Sequence, residues 1–155
     1  MIQHQISTGY FFGNSDKPRD KTSLSANRET WTAVPQRILI VEDEALVAMN
    51  MEIALAEDGF DILGIVDNET DAVAAAIRLN PDAILLDITL RDGDGISAAR
   101  SILKVLVTRI IFVSGNSDPV TLAAAQHLKP AGFIRKPFVT DRLAGLVRNA
   151  LTERN

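Results

Sequence analysis

The sequence contains no cysteine. A disulfide framework, a thiolate metal site and a thiol nucleophile are therefore excluded, and the composition fits a reducing compartment. An excess of basic residues is also missing, because the formal net charge is -4 and the pI is about 5.1. Surfaces that bind nucleic acid need clustered Lys and Arg. We expect no direct contact with nucleic acid.

Long apolar runs are absent as well. No run approaches the roughly 20 residues that cross a bilayer, and the amino terminus lacks the basic and then apolar pattern of a secretory signal. We therefore expect a cytoplasmic protein that does not contact a membrane.

Aromatic residues are scarce, at 5% of the 155 residues, and half of them precede residue 35. These four are Tyr10, Phe11, Phe12 and Trp31. Residues 1–35 show neither helical nor strand periodicity, which predicts a poorly ordered tail. The aromatic group leaves two interpretations open: an extension without a role, or a docking segment that folds back or meets a partner. Residues 36–154 are predicted to form one globular domain, and no output domain is expected after it.

Five short apolar runs alternate with five helical patterns after residue 36. The runs predict strands at 37–41, 61–66, 82–86, 109–113 and 131–135. The helices are predicted at 45–58, between Asn68 and Asn80-Pro81, at 96–107, at 118–128 and after Phe138. This alternation indicates βαβ units and a parallel sheet covered on both faces. We predict an α/β, flavodoxin-like (βα)5 three-layer sandwich with strand order 2-1-3-4-5.

The apolar positions in four helices predict which residues face the sheet. Asn68 and Asp71 have the spacing of a helix cap, Gly59 is expected to end the first helix, and Asp118-Pro119 is expected to begin the fourth. The expected inward residues are Leu46, Met49, Ile53 and Ala56; Val73, Ala76 and Ile77; Ile96, Ala99, Leu103 and Leu106; and Leu143, Leu146, Val147, Ala150 and Leu151.

Acidic residues follow the first and third strands. Glu42 and Asp43 come directly after one, and Asp87 comes directly after the other within "AILLDITLRDGDG". The predicted strand order makes these strands neighbours, so the three carboxylates should meet at the carboxyl edge of the sheet, where ligands bind in such folds. Oxygen ligands of this kind suit Mg²⁺.

The chemistry expected at that edge is phosphoryl transfer. Asp43 and Asp87 are the expected inner ligands of Mg²⁺, with the backbone carbonyl of Thr89 beside them and Glu42 acting through water. Ser114 and Lys136 end the fourth and fifth strands, so a hydroxyl and an ammonium would face the same crevice and bind phosphoryl oxygens. Aspartate is a known nucleophile towards phosphoryl groups. We predict that Asp87 is phosphorylated.

Over residues 36–153 the sequence resembles the receiver domain of two-component response regulators. Four motifs carry the resemblance: "ILIVEDE", "AILLDITLRDGDG", "IIFVSG" and "GFIRKPF". It implies that Glu42 and Asp43 form the acidic pair for Mg²⁺ or Mn²⁺ and that Asp87 is the phosphoacceptor. Ser114 would be the switch hydroxyl, and Lys136 would bind the phosphoryl group.

Further implications concern partners and the switch. Phe133 matches the switch aromatic of the family. At the position of Pro137, receivers commonly have a proline that is joined to the lysine by a cis peptide bond. The phosphoryl donor would be a histidine kinase or a histidine phosphotransfer protein. Phosphorylation would remodel the face of helix 4, strand 5 and helix 5, where a downstream protein would bind. We expect a stand-alone receiver of the chemotaxis-regulator-like type: a signalling protein or phosphoryl shuttle that catalyses its own phosphorylation and dephosphorylation and is not an enzyme acting on other substrates.

The sequence departs from the family pattern at two positions. Arg91 stands where many receivers carry proline, and Phe133 replaces the commoner tyrosine. In receivers, the positions that correspond to Thr89 and Asn116 influence the rate of dephosphorylation.

Two other functions compete with this prediction. "DIT" at Asp87 also resembles the nucleophile motif of haloacid-dehalogenase-type phosphatases, which turn over substrate repeatedly. A receiver fold could also act as a binding module without phosphorylation. Calcium at residues 92–95 is not expected, because the distal glutamate of an EF-hand is missing. His4 and His127 have no partners at catalytic or metal-ligand spacing in the sequence, and both are expected at the surface.

Overall fold

A computed structural model describes residues 34–116 and 118–153. The prediction for the aromatic tail lies outside the described residues. Strands and helices alternate along the described chain: β1 (Arg37–Val41), α1 (Ala45–Glu57), β2 (Asp61–Val66), α2 (Glu69–Leu79), β3 (Ala83–Leu86), α3 (Gly95–Leu103), β4 (Arg109–Ser114), α4 (Pro119–Gln126), β5 (Gly132–Arg135) and α5 (Thr140–Thr152). Within these ranges, no helix combines the length and the apolar content that crossing a membrane requires.

The five strands form one sheet in the order β2-β1-β3-β4-β5, and all four pairings are parallel. The predicted order is confirmed. At the carboxyl edge, Val41 of β1 pairs with Leu86 of β3, and Leu86 pairs with Phe112 of β4. This register places the residues that follow β1 and β3 side by side.

Each face of the sheet carries its own apolar core, because successive strand residues point to opposite faces. On one face, Leu39, Ile84 and Phe112 pack against α2, α3 and α4. On the other face, Ile38 and Leu85 pack against α1 and α5. The predicted three-layer α/β architecture is therefore confirmed.

The predicted inward face of α1 is wrong. Leu46, Met49 and Ile53 are 77%, 52% and 50% exposed, and Ala56 is exposed as well. The residues that α1 buries are Ala48, Met51 and Leu55. This helix carries apolar residues on nearly every side, so periodicity alone does not select the face that meets the sheet.

The other helices follow the predicted pattern with smaller differences. Ile77 and Leu146 were expected inside and are exposed. Each lies at the margin of its stripe: α2 packs through small residues such as Ala75, and α5 packs through Leu143 and Val147. The remaining inward positions of α2, α3 and α5 are buried or pack against a core. Three helices end before their predicted bounds: α1 at Glu57, α3 at Leu103 and α4 at Gln126.

The predicted helix ends are present. The Asn68 side chain accepts a hydrogen bond of 2.9 Å from the backbone N–H of Asp71, and Asp118 accepts one from Thr121 ahead of α4. Gly59 follows α1 with φ of 93°, a conformation that glycine adopts without a steric cost.

Candidate functional site

Three polar residues are buried among the described residues, and all three end strands or follow them directly: Glu42, Asp87 and Ser114. Backbone pairing continues past the strand ends, because Asp87 N donates to Val41 O at 3.0 Å and Glu42 N donates to Val66 O at 2.9 Å. The sheet itself therefore holds both carboxylates, which are only 2% and 5% exposed as residues.

Lys136 follows β5 and supplies the positive charge. Its Nζ lies 2.8 Å from Asp87 Oδ2 and 2.5 Å from Glu42 Oε2. A longer contact of 3.4 Å reaches Glu44 Oε1. The peptide bond between Lys136 and Pro137 is cis, as the family resemblance implied. One ammonium thus bridges the two buried acids.

Burial and charge act in opposite directions on these groups. Burial raises the pKa of Glu42, and its contacts with Lys136 only partly offset that effect. Burial by itself would lower the pKa of Lys136, but the hydrogen bonds and negative charges of Asp87 and Glu42 outweigh it and raise the pKa. Lys136 therefore stays protonated, and the site combines a permanent cation with an acid that is costly to ionise.

Three carboxylates form a candidate cation site. Glu42, Asp43 and Asp87 each offer an oxygen, and the three oxygens lie within 4.8 Å of one another. A ligand set made only of oxygen fits Mg²⁺ or Mn²⁺. Thr89 lines the same cleft, and its backbone N–H donates to Asp87 Oδ1 at 2.9 Å.

An open cleft of about 620 Å³ lies over these residues. Its lining includes Asp43, Asp87, Ser114 and Lys136, together with Asn116. The structure therefore brings the predicted site residues of four strand ends to one cleft. Among the lining residues, Lys136 offers an ammonium and Ser114 offers a hydroxyl.

A second cavity, of about 300 Å³, lies between α4 and β5, and both Ser114 and Phe133 line it. Phe133 is 41% exposed. Its ring centroid lies 5.6 Å from that of Phe112, which is fully buried in β4. Ser114 and Phe133 thus border one space.

Contacts from α2 to the loop after Asp87 were not predicted. Glu69, the first residue of α2, accepts hydrogen bonds from Asp94 N at 2.8 Å and from Ser97 Oγ at 2.6 Å. These bonds lower the pKa of Glu69, the one from Ser97 most strongly. The partners lie 25 and 28 residues away in the chain, so no local pattern could indicate them.

Residues 92–95, which resemble half of a calcium loop, have another role. Asp94 accepts hydrogen bonds from Ile96 N at 3.0 Å and from Ser97 N at 3.3 Å and so caps α3. His127 is exposed, as predicted, and His4 lies outside the described residues.

Comparison with known proteins gives one consistent family. The model of the response regulator receiver domain matches residues 38–148. The transcriptional regulatory protein PdtaR of Mycobacterium tuberculosis is 31% identical over 120 residues, which are 77% of this chain and 58% of PdtaR. The phyllosphere-induced regulator PhyR of Methylorubrum extorquens is 33% identical over 128 residues, 81% of this chain and 47% of PhyR.

Shorter relatives match over almost their whole length. The chemotaxis protein CheY of Bacillus subtilis is 32% identical over 116 residues, 74% of this chain and 97% of CheY. The signal receiver domain of a modulated diguanylate cyclase from Desulfovibrio desulfuricans is 34% identical with a TM-score of 0.70, over 76% of this chain and 94% of that one. The chain thus covers a receiver domain and only about half of PdtaR and PhyR.

Proposed function

This chain belongs to the response regulator receiver domain family of two-component signalling, and from that premise we propose that Asp87 accepts a phosphoryl group. The donor is a phosphorylated histidine of a kinase or of a phosphotransfer protein in the cytoplasm. The observation that carries the proposal is the buried Asp87 carboxylate, with Lys136 Nζ 2.8 Å away and two further carboxylates beside it.

The transfer forms one bond and breaks one bond. A carboxylate oxygen of Asp87 attacks phosphorus, and the P–N bond to the donor imidazole breaks, with the electron pair leaving on nitrogen. Lys136 neutralises a phosphoryl oxygen, and Ser114 Oγ donates a hydrogen bond to another.

A divalent cation completes the proposed site. Asp43, Asp87 and the backbone carbonyl of Thr89 would hold Mg²⁺ or Mn²⁺, and Glu42 would act through water. When bound, the cation supplies positive charge to the carboxylates and to the phosphoryl oxygens. The oxygen donors that lie within 4.8 Å of one another support this assignment.

The signal would leave through Ser114 and Phe133. Drawing the Ser114 hydroxyl towards a phosphoryl oxygen vacates space beside Phe133, and the shared cavity of about 300 Å³ gives the ring room to move inward. The face made by α4, β5 and α5 would then change and bind a downstream protein differently.

Phosphorylation tests the proposal directly. With Mg²⁺ and acetyl phosphate, the protein should take up about one phosphoryl group, and Asp87→Asn should take up none. Asp61→Asn, at the exposed amino end of β2, is the matched control and should label like the unchanged protein. Repeated hydrolysis of p-nitrophenyl phosphate would instead indicate a phosphatase.

The switch needs a separate measurement. Beryllofluoride with Mg²⁺ mimics the phosphoryl group and should shift the amide signals of Ser114 and Phe133. If beryllofluoride occupies Asp87 and these signals do not shift, the proposed switch through Ser114 and Phe133 is wrong. A third outcome would indicate a binding module that needs no phosphorylation: no phosphodonor labels Asp87, and a downstream partner binds Asp87→Asn as tightly as the unchanged protein.

A further inference from the structure

The loop between β3 and α3 reaches the acidic residue that follows β1. The backbone N–H of Arg91 donates a hydrogen bond of 2.9 Å to Asp43 Oδ2. The two residues are 48 positions apart, and the bond engages one oxygen of the carboxylate and leaves Oδ1 for another partner.

Three contacts give this N–H a fixed position. The loop closes on itself through a bridge between Thr89 and Asp94 and through Gly95 N, which donates to Ile88 O at 2.9 Å. It is tied to α2 by the bond from Asp94 N to Glu69. The N–H therefore approaches Asp43 from a loop that is anchored on both sides.

Asp43 needs such support more than its neighbours do. Glu42 and Asp87 are buried and contact Lys136, whereas Asp43 is half-buried and is absent from those ion pairs. A hydrogen bond to one carboxylate oxygen orients the other and limits the rotamer freedom that binding must remove.

We propose that the backbone N–H of Arg91 positions Asp43 for the divalent cation. The inference rests on the cation site of the proposed function and adds a group to it. Arg91 stands where many receivers carry proline, and proline has no N–H to donate. The substitution that departs from the family pattern thus adds a hydrogen bond to a cation ligand, and the Arg91 side chain takes no part in it.

Two variants at one position separate the N–H from the side chain. Arg91→Ala keeps the N–H, and Arg91→Pro removes it. We expect Mg²⁺ to bind Arg91→Ala within about twofold of the unchanged protein, and to bind Arg91→Pro about tenfold more weakly, the usual cost of losing a group that supports a ligand. The measurement is a Mg²⁺ titration of unphosphorylated protein, followed through amide signals at Thr89 and Ser114.

A merely structural effect of proline is checked without Mg²⁺. Proline also restricts the preceding residue, so the structural control uses a signal that does not adjoin position 91. The melting temperature and the amide signal of Ile96 should be the same in both variants. Equal Mg²⁺ affinity in the two variants would overturn the inference while leaving the proposed site intact. If the unchanged protein bound no Mg²⁺, the cation site and this inference would both be wrong, whereas labelling of Asp87 would remain a separate result.

Amide exchange serves if Arg91→Pro does not fold. In the unchanged protein, the amide hydrogen of Arg91 should exchange with solvent at least about tenfold more slowly than in Asp43→Ala, because Asp43→Ala removes the hydrogen-bond acceptor. Equal exchange rates in these two proteins would contradict the hydrogen bond and the inference.

Discussion

Lys136 Nζ lies 2.8 Å from Asp87 Oδ2 and so connects the ends of β5 and β3, two strands that β4 separates in the sheet. The same ammonium contacts Glu42 at the end of β1. One side chain thus compensates two buried charges that the sheet brings together. Its removal is expected to affect stability as well as chemistry.

Lys136→Met should lower the free energy of unfolding by about 3 kcal/mol at neutral pH, because it leaves buried carboxylates without a cation. Urea denaturation in the absence of divalent cations measures the loss. Lys104→Met, at an exposed lysine after α3, should change the free energy of unfolding by less than about 0.5 kcal/mol. Adding Asp87→Asn to Lys136→Met should recover part of the loss. Equal stability of the two lysine variants would contradict the compensating role.

Gly95→Ala should destabilise the loop that follows Asp87. A Cβ at Gly95 would lie 2.0 Å from the carbonyl oxygen of Asp87 and 2.8 Å from the Cα of Ile88, so the backbone must move. We expect a loss of about 3 kcal/mol or more in the free energy of unfolding. Gly145→Ala, at an exposed helical glycine of α5 with open space around it, should stabilise by about 0.8 kcal/mol. Thermal denaturation of both variants measures these changes. An unchanged melting temperature in Gly95→Ala would contradict the close approach of the two backbone segments.

Two aliphatic residues of α1 test which face is buried. Leu55 is fully buried and Ile53 is half exposed. Leu55→Ala should lower the free energy of unfolding by about 3 kcal/mol because it leaves a cavity. Ile53→Ala should change it by less than about 0.5 kcal/mol. Urea denaturation of the two variants measures both losses. A larger loss for Ile53→Ala than for Leu55→Ala would support the face that periodicity predicted.

Glu69 should make stability depend on pH. Its pKa is lowered in the folded protein by the hydrogen bonds from Ser97 and Asp94. The ionised carboxylate therefore contributes stability above its unfolded pKa, near 4.5, and this contribution is lost as the pH falls through the lower folded value. Urea denaturation at several pH values measures it.

The matched variants are Glu69→Gln and Glu57→Gln. Glu69→Gln should be less stable than the unchanged protein at pH 6, and the difference should shrink at acidic pH. Glu57→Gln, at an exposed residue of α1, should differ little at either pH. A difference for Glu69→Gln that does not change with pH would show that charge is not involved.

Much of the fold was predictable because strands and helices carry different signals. The five strands are short apolar runs bounded by polar residues, and parallel strands connected by helices allow few arrangements. The convergence of Glu42, Asp87 and Lys136 follows from that topology, since parallel strands end at one edge. Their roles in phosphoryl transfer remain proposals.

Other features gave no signal that sequence reasoning could use. The face of α1 depends on how the helix packs on the sheet, and Leu46 and Leu55 are equally apolar. The bond from Arg91 to Asp43 uses a backbone N–H, which every residue except proline has. The contact between Glu69 and Ser97 joins residues 28 positions apart, and its geometry exists only once α2 and α3 pack together.

The hydrogen bonds that continue the sheet up to Glu42 and Asp87 have a thermodynamic consequence. Acids placed by a sheet cannot move apart as acids on loops can, so their mutual repulsion is part of the free energy of the folded chain. The unfolded chain lacks this repulsion because the acids separate. A divalent cation held by Asp43 and Asp87 would therefore bind the folded state alone, and its concentration should raise the melting temperature.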